Sequence, residues 1–271
     1  MKRPPSIDHL RIINSDLSVE IIICSILKNL KTMKLLMILL LVVPIVAISQ
    51  FEKPKWDFPV KPGTDKWKTL KNNVEKVEAC QIPKDVLSLL KTPELIQTCL
   101  NYPLLPDIFA FDNIKDGFEK FENDFNGFRE LINREDVAIE LLKLYKKIDP
   151  GYIPKDGTIL EKGTYAFRLS FIELFVSHPL VIVKLSSSGK KEIIKEFLLK
   201  KEKKKTRPVW YQNTGIQTIY LAIVNIMQSD TNQFQSGLDV SKISPYIYSG
   251  ILTNPETMDQ IDQAANKYLK N

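Results

Sequence analysis

The sequence contains little histidine and little cysteine, and this shortage excludes several kinds of site. Its 271 residues include two histidines and three cysteines. A zinc site made of these residues needs about three or four ligands, and His9 and Cys24 fall in an N-terminal segment that we expect to be absent from the mature protein. Glycine-rich phosphate loops, EF-hand loops and nucleophile elbows are also missing. We therefore predict no metal and no cofactor.

A short apolar run sets the expected compartment. Residues 35–48 are apolar, follow Lys34 and lead into the small-x-small ending Ala47-Ile48-Ser49. This is the pattern of a secretory signal peptide cleaved before Gln50. The run is shorter than the roughly 20 apolar residues that span a bilayer. We expect an exported protein, periplasmic or extracellular, that is not an integral membrane protein once the signal is removed.

Residues 1–32 do not fit a signal peptide, because they carry charges of both signs. Met33-Lys34 opens an ordinary signal, so we interpret 1–32 as an upstream extension from a false translation start and 33–49 as the signal. A cytoplasmic arm before a signal anchor is the alternative. Without residues 1–49, the chain keeps 32 of its 38 basic and 29 of its 32 acidic residues, a net charge of +3. This mild excess does not indicate a nucleic-acid partner.

The first part of the mature chain is rich in proline and tryptophan. Its prolines oppose helix formation, so we predict an extended arm over residues 50–82. Three aromatic side chains either pin this arm to the fold or form an exposed binding strip: Trp56, Phe58 and Trp67.

Residues 83–271 are predicted to form a single all-α domain. Apolar residues recur at helical spacing throughout it, and Thr158 with Glu161 and Thr214 with Gln217 match the capping box at a helix start. The predicted helices come in pairs at intervals of roughly 40 residues, the size of a HEAT or armadillo unit. We predict an array of antiparallel helix pairs, with an irregular helical bundle as the alternative.

The two remaining cysteines, Cys80 and Cys99, allow two interpretations. In an exported protein they are able to form a disulfide, which closes a loop of about 20 residues and stabilises the fold by roughly 3 kcal/mol. We favour this pairing, because Cys80 precedes one predicted helix and Cys99 ends the next. Two buried thiols packed between helices are the alternative.

The strongest charge asymmetry lies in residues 190–207, which hold nine basic and three acidic residues. One interpretation is a docking surface for an anionic partner, such as a lipid headgroup or an acidic glycan. The other is a solvated helix end whose lysines complement the helix dipole. No stacking aromatic residues accompany the lysines, so nucleic acid is not expected. The candidate patch is Lys200, Lys201, Lys203, Lys204, Lys205 and Arg207.

Catalytic candidates are few. His178 precedes Pro179 where an apolar helix should end, so we interpret it as a helix C-terminal residue rather than a general base. Carboxylate chemistry needs only two acids at a suitable separation, and Asp107, Asp112 and Asp116 lie close together in the sequence. We assign no catalytic residue, but a carboxylate-dependent hydrolase of an extracellular polymer remains the alternative function.

Three segments carry a resemblance to a known group of proteins. They are Cys-Gln-Ile-Pro at 80–83, Thr-Cys-Leu-Asn-Tyr-Pro-Leu at 98–104 and Phe-Asn-Gly-Phe-Arg-Glu-Leu at 125–131. The chain resembles uncharacterised secreted all-helical proteins of Bacteroidetes-type bacteria, mainly over residues 67–148. The resemblance implies export and a shared fold, and no particular reaction.

These observations favour a non-enzymatic interaction protein of the cell envelope. Helical arrays present long curved surfaces that suit a protein or polymer partner. Association with a membrane surface through the lysine-rich helix is a weaker third possibility.

Overall fold

The structure, a computed structural model, describes residues 55–154, 156–230, 243 and 254–270. These residues belong to one compact unit, Gln50–Asn271. They contain helices, turns and no strand, which confirms the all-α class. The predictions about the translation start, the signal peptide and its cleavage lie outside the described residues.

Twelve α-helices and one 3₁₀ helix are described, the latter over Leu105–Ala110 between α4 and α5. The α-helices, in chain order, are α1 Asp65–Thr69, α2 Asn73–Ala79, α3 Lys84–Leu89, α4 Thr92–Leu100, α5 Ile114–Asp124, α6 Asn126–Asn133, α7 Val137–Lys147, α8 Ile159–Ser177, α9 Pro179–Ile182, α10 Ser187–Lys205, α11 Pro208–Gln228 and α12 Pro255–Lys270.

The contacts between helices form two series. Helices α4, α8 and α11 contact one another in succession, and so do α7, α10 and α12. The contact between α8 and α11 is the most extensive, and α10 and α12 both pack against α11. The longest apolar helices, α8 and α11, thus lie at the centre of the fold, since each of them is bordered by several others.

One of the two predicted capping boxes is present. The Thr158 backbone N–H donates to Glu161 Oε2 at 2.7 Å, and the Glu161 N–H donates to Thr158 Oγ1 at 3.2 Å. The box predicted at Thr214 and Gln217 is wrong, because both residues lie inside the continuous helix α11. That helix begins at Pro208, where the fixed φ of proline suits the first helical position.

The predicted extended arm, residues 50–82, is also partly wrong. Helices α1 and α2 lie within it and are capped by the side chains of Thr64 and Asn72. Such caps satisfy backbone N–H groups that a short helix cannot satisfy itself. Pinning by aromatic residues is confirmed: Phe58 is buried in the core, and Trp56 and Trp67 pack against it partly buried.

The first and third segments of the resemblance meet in the structure. The Ile82 N–H donates to Asn126 Oδ1 at 3.0 Å, and Asn126 Nδ2 donates back to Ile82 O at 2.8 Å. Gln81 likewise donates to Asp124 O at 2.8 Å and accepts from the Asn126 N–H at 3.1 Å. We call these four bonds the Gln81–Asn126 clasp, and they fix the start of α3 against the junction of α5 and α6.

Aromatic rings fill the space beside this clasp. Tyr102 stacks on Phe125 with ring centroids 4.1 Å apart, and Phe128 and Phe175 lie 4.8 Å apart. The apolar residues of α5 and α6 face this core, although the chain breaks between the two helices at Phe125. The aromatic cluster consists of Phe58, Tyr102, Phe121, Phe125, Phe128 and Phe175.

Candidate functional site

A pocket of about 490 Å³ opens where α5, the junction of α8 and α9, and the end of α11 meet. This volume is in the range of pockets that hold small ligands. We call it the His178 pocket. Apolar side chains make up much of the described wall: Ile114, Phe118, Leu174, Ile182, Val183 and Leu221.

His178 lies in the wall of this pocket and is held through both ring nitrogens. Its Nδ1 accepts a hydrogen bond from the Leu180 N–H at 3.2 Å, which makes it the N-cap of α9. The ring proton therefore lies on Nε2, which donates to Glu122 Oε2 at 3.1 Å. His178 is also the C-cap of α8, so its predicted place at a helix end is confirmed.

This geometry fixes the imidazole rather than presenting it to a substrate. A general base needs a nitrogen within hydrogen-bonding reach of the proton that it removes, and both nitrogens of His178 already have partners. The neighbouring Ser177 hydroxyl donates to Leu174 O at 2.7 Å and is buried. The imidazole of His178 and the hydroxyl of Ser177 are therefore both engaged by partners within the protein.

The remaining polar groups of the wall come from α5 and α11. Helix α5 supplies Lys115, Glu119 and Glu122, while α11 and its C-cap supply uncharged groups, Asn225, Gln228 and Ser229. Phe118 contributes a partly buried ring whose centroid lies 6.1 Å from that of the imidazole. The pocket thus combines an apolar body, one aromatic face and a rim that carries carboxylates.

The sequence did not predict Glu122 and Asn225 as parts of a site. Glu122 is a polar residue on an amphipathic helix, and Asn225 interrupts an apolar stretch of α11. An amide inside such a stretch is a usable signal, because a buried polar group needs a hydrogen-bond partner. Asn225 Nδ2 finds one in Ser177 O at 3.2 Å.

The predicted anionic-partner patch does not form one surface. Lys200, Lys201 and Lys204 are buried, with exposed fractions of 5%, 3% and 0%. They follow Phe197 at helical spacing and so share its inward face of α10. Lys203, Lys205 and Arg207 are exposed; Lys203 pairs with Asp149 and Lys205 with Glu202.

Each buried lysine has an oxygen partner. Lys200 Nζ donates to Ile148 O at 2.7 Å, and Lys201 pairs with Asp262 of α12. Lys204 Nζ donates to both carboxylate oxygens of Glu173, at 2.7 and 2.8 Å, and to Gly215 O at 2.6 Å.

We call Glu173 and Lys204 the buried ion pair. Tyr145 donates to Glu173 at 2.8 Å and Thr218 donates to its other oxygen, so the carboxylate is fully hydrogen-bonded. Burial lowers the pKa of Lys204, and the charge of Glu173 opposes that shift. Helices α7, α8, α10 and α11 all contribute to this network.

The predicted disulfide is wrong. Cys80 and Cys99 are both free thiols and both buried, which was the alternative interpretation. Cys80 Sγ donates to Val60 O at 3.6 Å, and burial raises the pKa of this thiol to about 11. Burial also raises the pKa of Cys99. Both thiols therefore stay protonated and serve as small core residues.

The three clustered aspartates do not converge. Asp116 accepts from the side chain of Asn113, the N-cap of α5, while Asp112 is exposed. Asp107 lines a smaller cleft of about 260 Å³ together with Asp124 and Tyr102. Burial raises the pKa of Asp107, and nearby Lys76 opposes the shift.

No group of three or more histidine, cysteine, aspartate or glutamate residues suited to a metal ion occurs within the described ranges. Within the same ranges, every helix is too short or too polar to cross a membrane. No family model, curated protein or solved structure matches the chain.

Proposed function

We propose that this chain is a non-enzymatic binding module that holds the apolar part of a ligand in the His178 pocket. The observation that carries the proposal is the pocket itself, a cavity of about 490 Å³ with a largely apolar wall and a few fixed polar groups. Pockets of this composition are the usual sites of ligand binding. Both ring nitrogens of His178 have protein partners, which supports binding rather than catalysis.

The cell envelope is the proposed place of action. The apolar run before Gln50 and the resemblance to secreted proteins support export. N-terminal sequencing of the protein recovered from envelope and medium fractions tests this. A mature chain that begins at Gln50 is the expected result, and a chain that keeps residues 33–49 would overturn it.

We interpret the two series of contacting helices as a HEAT- or armadillo-like array. The succession of contacts along α4, α8 and α11, and along α7, α10 and α12, supports this interpretation. In such arrays each unit contacts mainly its neighbours and leaves a continuous surface for a partner. A protein or an envelope polymer is the proposed partner, and its bound portion would enter the His178 pocket.

The test of binding uses ligand-observed NMR on the purified full-length chain with a panel of small apolar and amphipathic molecules. We expect several members to bind the natural chain and to lose binding in Val183→Trp, which narrows the pocket from an exposed position. The matched control is Leu89→Trp, an exposed apolar residue of α3 outside that wall. Equal binding by Val183→Trp, or no binding by any member, would contradict the proposal.

One observation favours the second candidate, a carboxylate-dependent hydrolase. Asp107 has a raised pKa and shares a cleft with Asp124, and a general acid of a glycosidase needs a raised pKa. Incubation with a panel of polysaccharides tests it. Turnover that is abolished in Asp107→Asn, and retained in Asp112→Asn, would replace the binding module as the leading function.

A further inference from the structure

We propose that the His178 pocket selects a small organic amine, with its apolar body in the cavity and its protonated nitrogen at Glu122. This inference rests on the proposed binding function and names the class of ligand. The assignment follows from which donors and acceptors of the described pocket wall already have protein partners, and from the charged groups in that wall.

Most hydrogen-bond donors of the pocket wall already donate to oxygens of the protein. The hydroxyl of Ser229 donates to Ile226 O at 2.7 Å, the hydroxyl of Ser177 to Leu174 O, and the amide of Asn225 to Ser177 O. The ring proton of His178 goes to Glu122. A ligand with a carbonyl or carboxylate head would therefore find few donors: the Gln228 amide and the ammonium group of Lys115, which pairs with Glu119 at 3.6 Å.

The acceptors of the wall are less occupied. Among the described residues, no hydrogen-bond donor reaches Oε1 of Glu122 or Oδ1 of Asn225. The carboxylate of Glu122 belongs to a side chain that is one-third exposed, so it remains accessible from the pocket. An ammonium group has three donors and no acceptor, which is the complement of this set.

The charges and the aromatic face favour the same head group. The titratable groups of the wall are Glu119, Glu122 and Lys115 from α5 and His178 from the helix junction, so carboxylates outnumber the lysine. Phe118 adds a ring face, and cations are attracted to such faces. The apolar side chains from α8, α9 and α11 would instead contact the apolar body of the ligand.

The test compares three molecules with one body and different heads: 2-phenylethylamine, 2-phenylethanol and 3-phenylpropanoate. Isothermal titration of the full-length chain at pH 7 should show the amine binding about tenfold tighter than the alcohol, a ratio that corresponds to about 1.4 kcal/mol. The carboxylate should bind most weakly. The amine affinity should fall with added salt, while that of the alcohol should not.

Glu122→Gln is the decisive variant, because its amide oxygen still accepts from His178 Nε2 while the charge is lost. We expect the amine to fall to the affinity of the alcohol and the alcohol to be unchanged. Glu140→Gln, which removes an acid of α7 outside the pocket wall, is the matched control and should leave all three affinities as they are.

The outcomes separate this inference from the proposed function. If all three molecules bind equally, or if Glu122→Gln keeps the preference for the amine, the amine assignment is wrong and the binding module stands. If the three fail to bind while other panel members bind in a manner sensitive to Val183→Trp, the assignment is again wrong. If nothing binds, both fail. Should Glu122→Gln not fold, an amine affinity of the natural chain that is insensitive to salt overturns the assignment.

Discussion

The aromatic cluster and the buried ion pair are both sealed from solvent, yet they are built from opposite chemistry. In the cluster, Phe125 and Phe128 are fully buried among other rings and the stabilisation comes from apolar area. In the ion pair, Glu173 and Lys204 are equally inaccessible, and their charges are tolerated because every oxygen and proton has a partner.

The two regions should therefore fail in different ways. Apolar packing is non-directional and loses stability in proportion to the space that is lost or overfilled. A charged network depends on its partners, so removing one member leaves another buried without compensation. The following substitutions and conditions separate these two behaviours, beginning with the largest expected effect.

Lys204→Met should be severely destabilising. The change leaves the Glu173 carboxylate buried without its counter-charge, at a cost of about 3–5 kcal/mol. Lys205→Met is the matched control in the same helix, because Lys205 is exposed and pairs with the exposed Glu202; its cost should stay below about 1 kcal/mol. Urea unfolding followed by circular dichroism measures both. Similar losses for the two variants would contradict a special role for the ion pair.

Gly127→Ala should disturb the aromatic cluster by overfilling it. A Cβ there would clash with Phe125 Cζ and lie 2.8 Å from Ile82 Cδ1, and overpacking of a core costs about 1–3 kcal/mol. Gly163→Ala in α8 meets nothing within 4 Å and should stabilise by up to about 1 kcal/mol through helix propensity. The same unfolding experiment measures the change in the free energy of unfolding for each variant. A stabilised Gly127→Ala would show that the cluster is loosely packed.

Alkaline pH should weaken both regions. Burial raises the pKa of Tyr102 in the cluster and of Tyr145 in the ion-pair network, as it does for Cys80. A group whose pKa is raised by folding contributes stability below its unfolded pKa and loses it as the pH rises. The unfolded values are 9.0 for the thiol and 10.0 for the phenols. The urea midpoint should therefore be lower at pH 10.5 than at pH 8, and an unchanged midpoint would contradict these shifts.

Reductant should have no effect on stability. Both thiols are free, so dithiothreitol has no bond to break, whereas loss of a disulfide around a loop of this length would cost about 3 kcal/mol. Melting temperatures with and without the reductant should agree. A lower melting temperature in the reductant would restore the disulfide prediction.

The aromatic cluster could be predicted because its signal is local. Phe121, Phe125 and Phe128 recur at helical spacing, and such spacing predicts a buried face whatever lies opposite. At Gly127 the structure combines a break and close packing: a new helix starts at Asn126, and the glycine faces the Phe125 ring.

The buried ion pair could not be predicted in this way. Lys204 lies in a run of lysines, and a count of charge does not distinguish the inward face of a helix from the outward one. Its partner Glu173 is 31 residues away within an apolar helix. A glutamate in such a helix is itself a signal, since a charge is rarely buried unless it is paired. It indicates that a cation is needed, but not which one.

Only part of the His178 pocket could be predicted from the sequence. The position of His178 at a helix end follows from the proline after it. The pocket forms only because α5 and α11 both pack beside the junction of α8 and α9. That arrangement depends on contacts between segments about 50 residues apart in the sequence.

The burial of Lys204 gives this chain a chemical reporter of its own opening. Amine-reactive reagents modify lysines that solvent reaches, so Lys203 and Lys205 should be labelled at once while Lys204 reacts only after α10 separates from α8. Three neighbouring residues thus record surface accessibility and core opening in a single peptide. Its labelling rate, read by mass spectrometry, would follow the opening of the helical stack under native conditions.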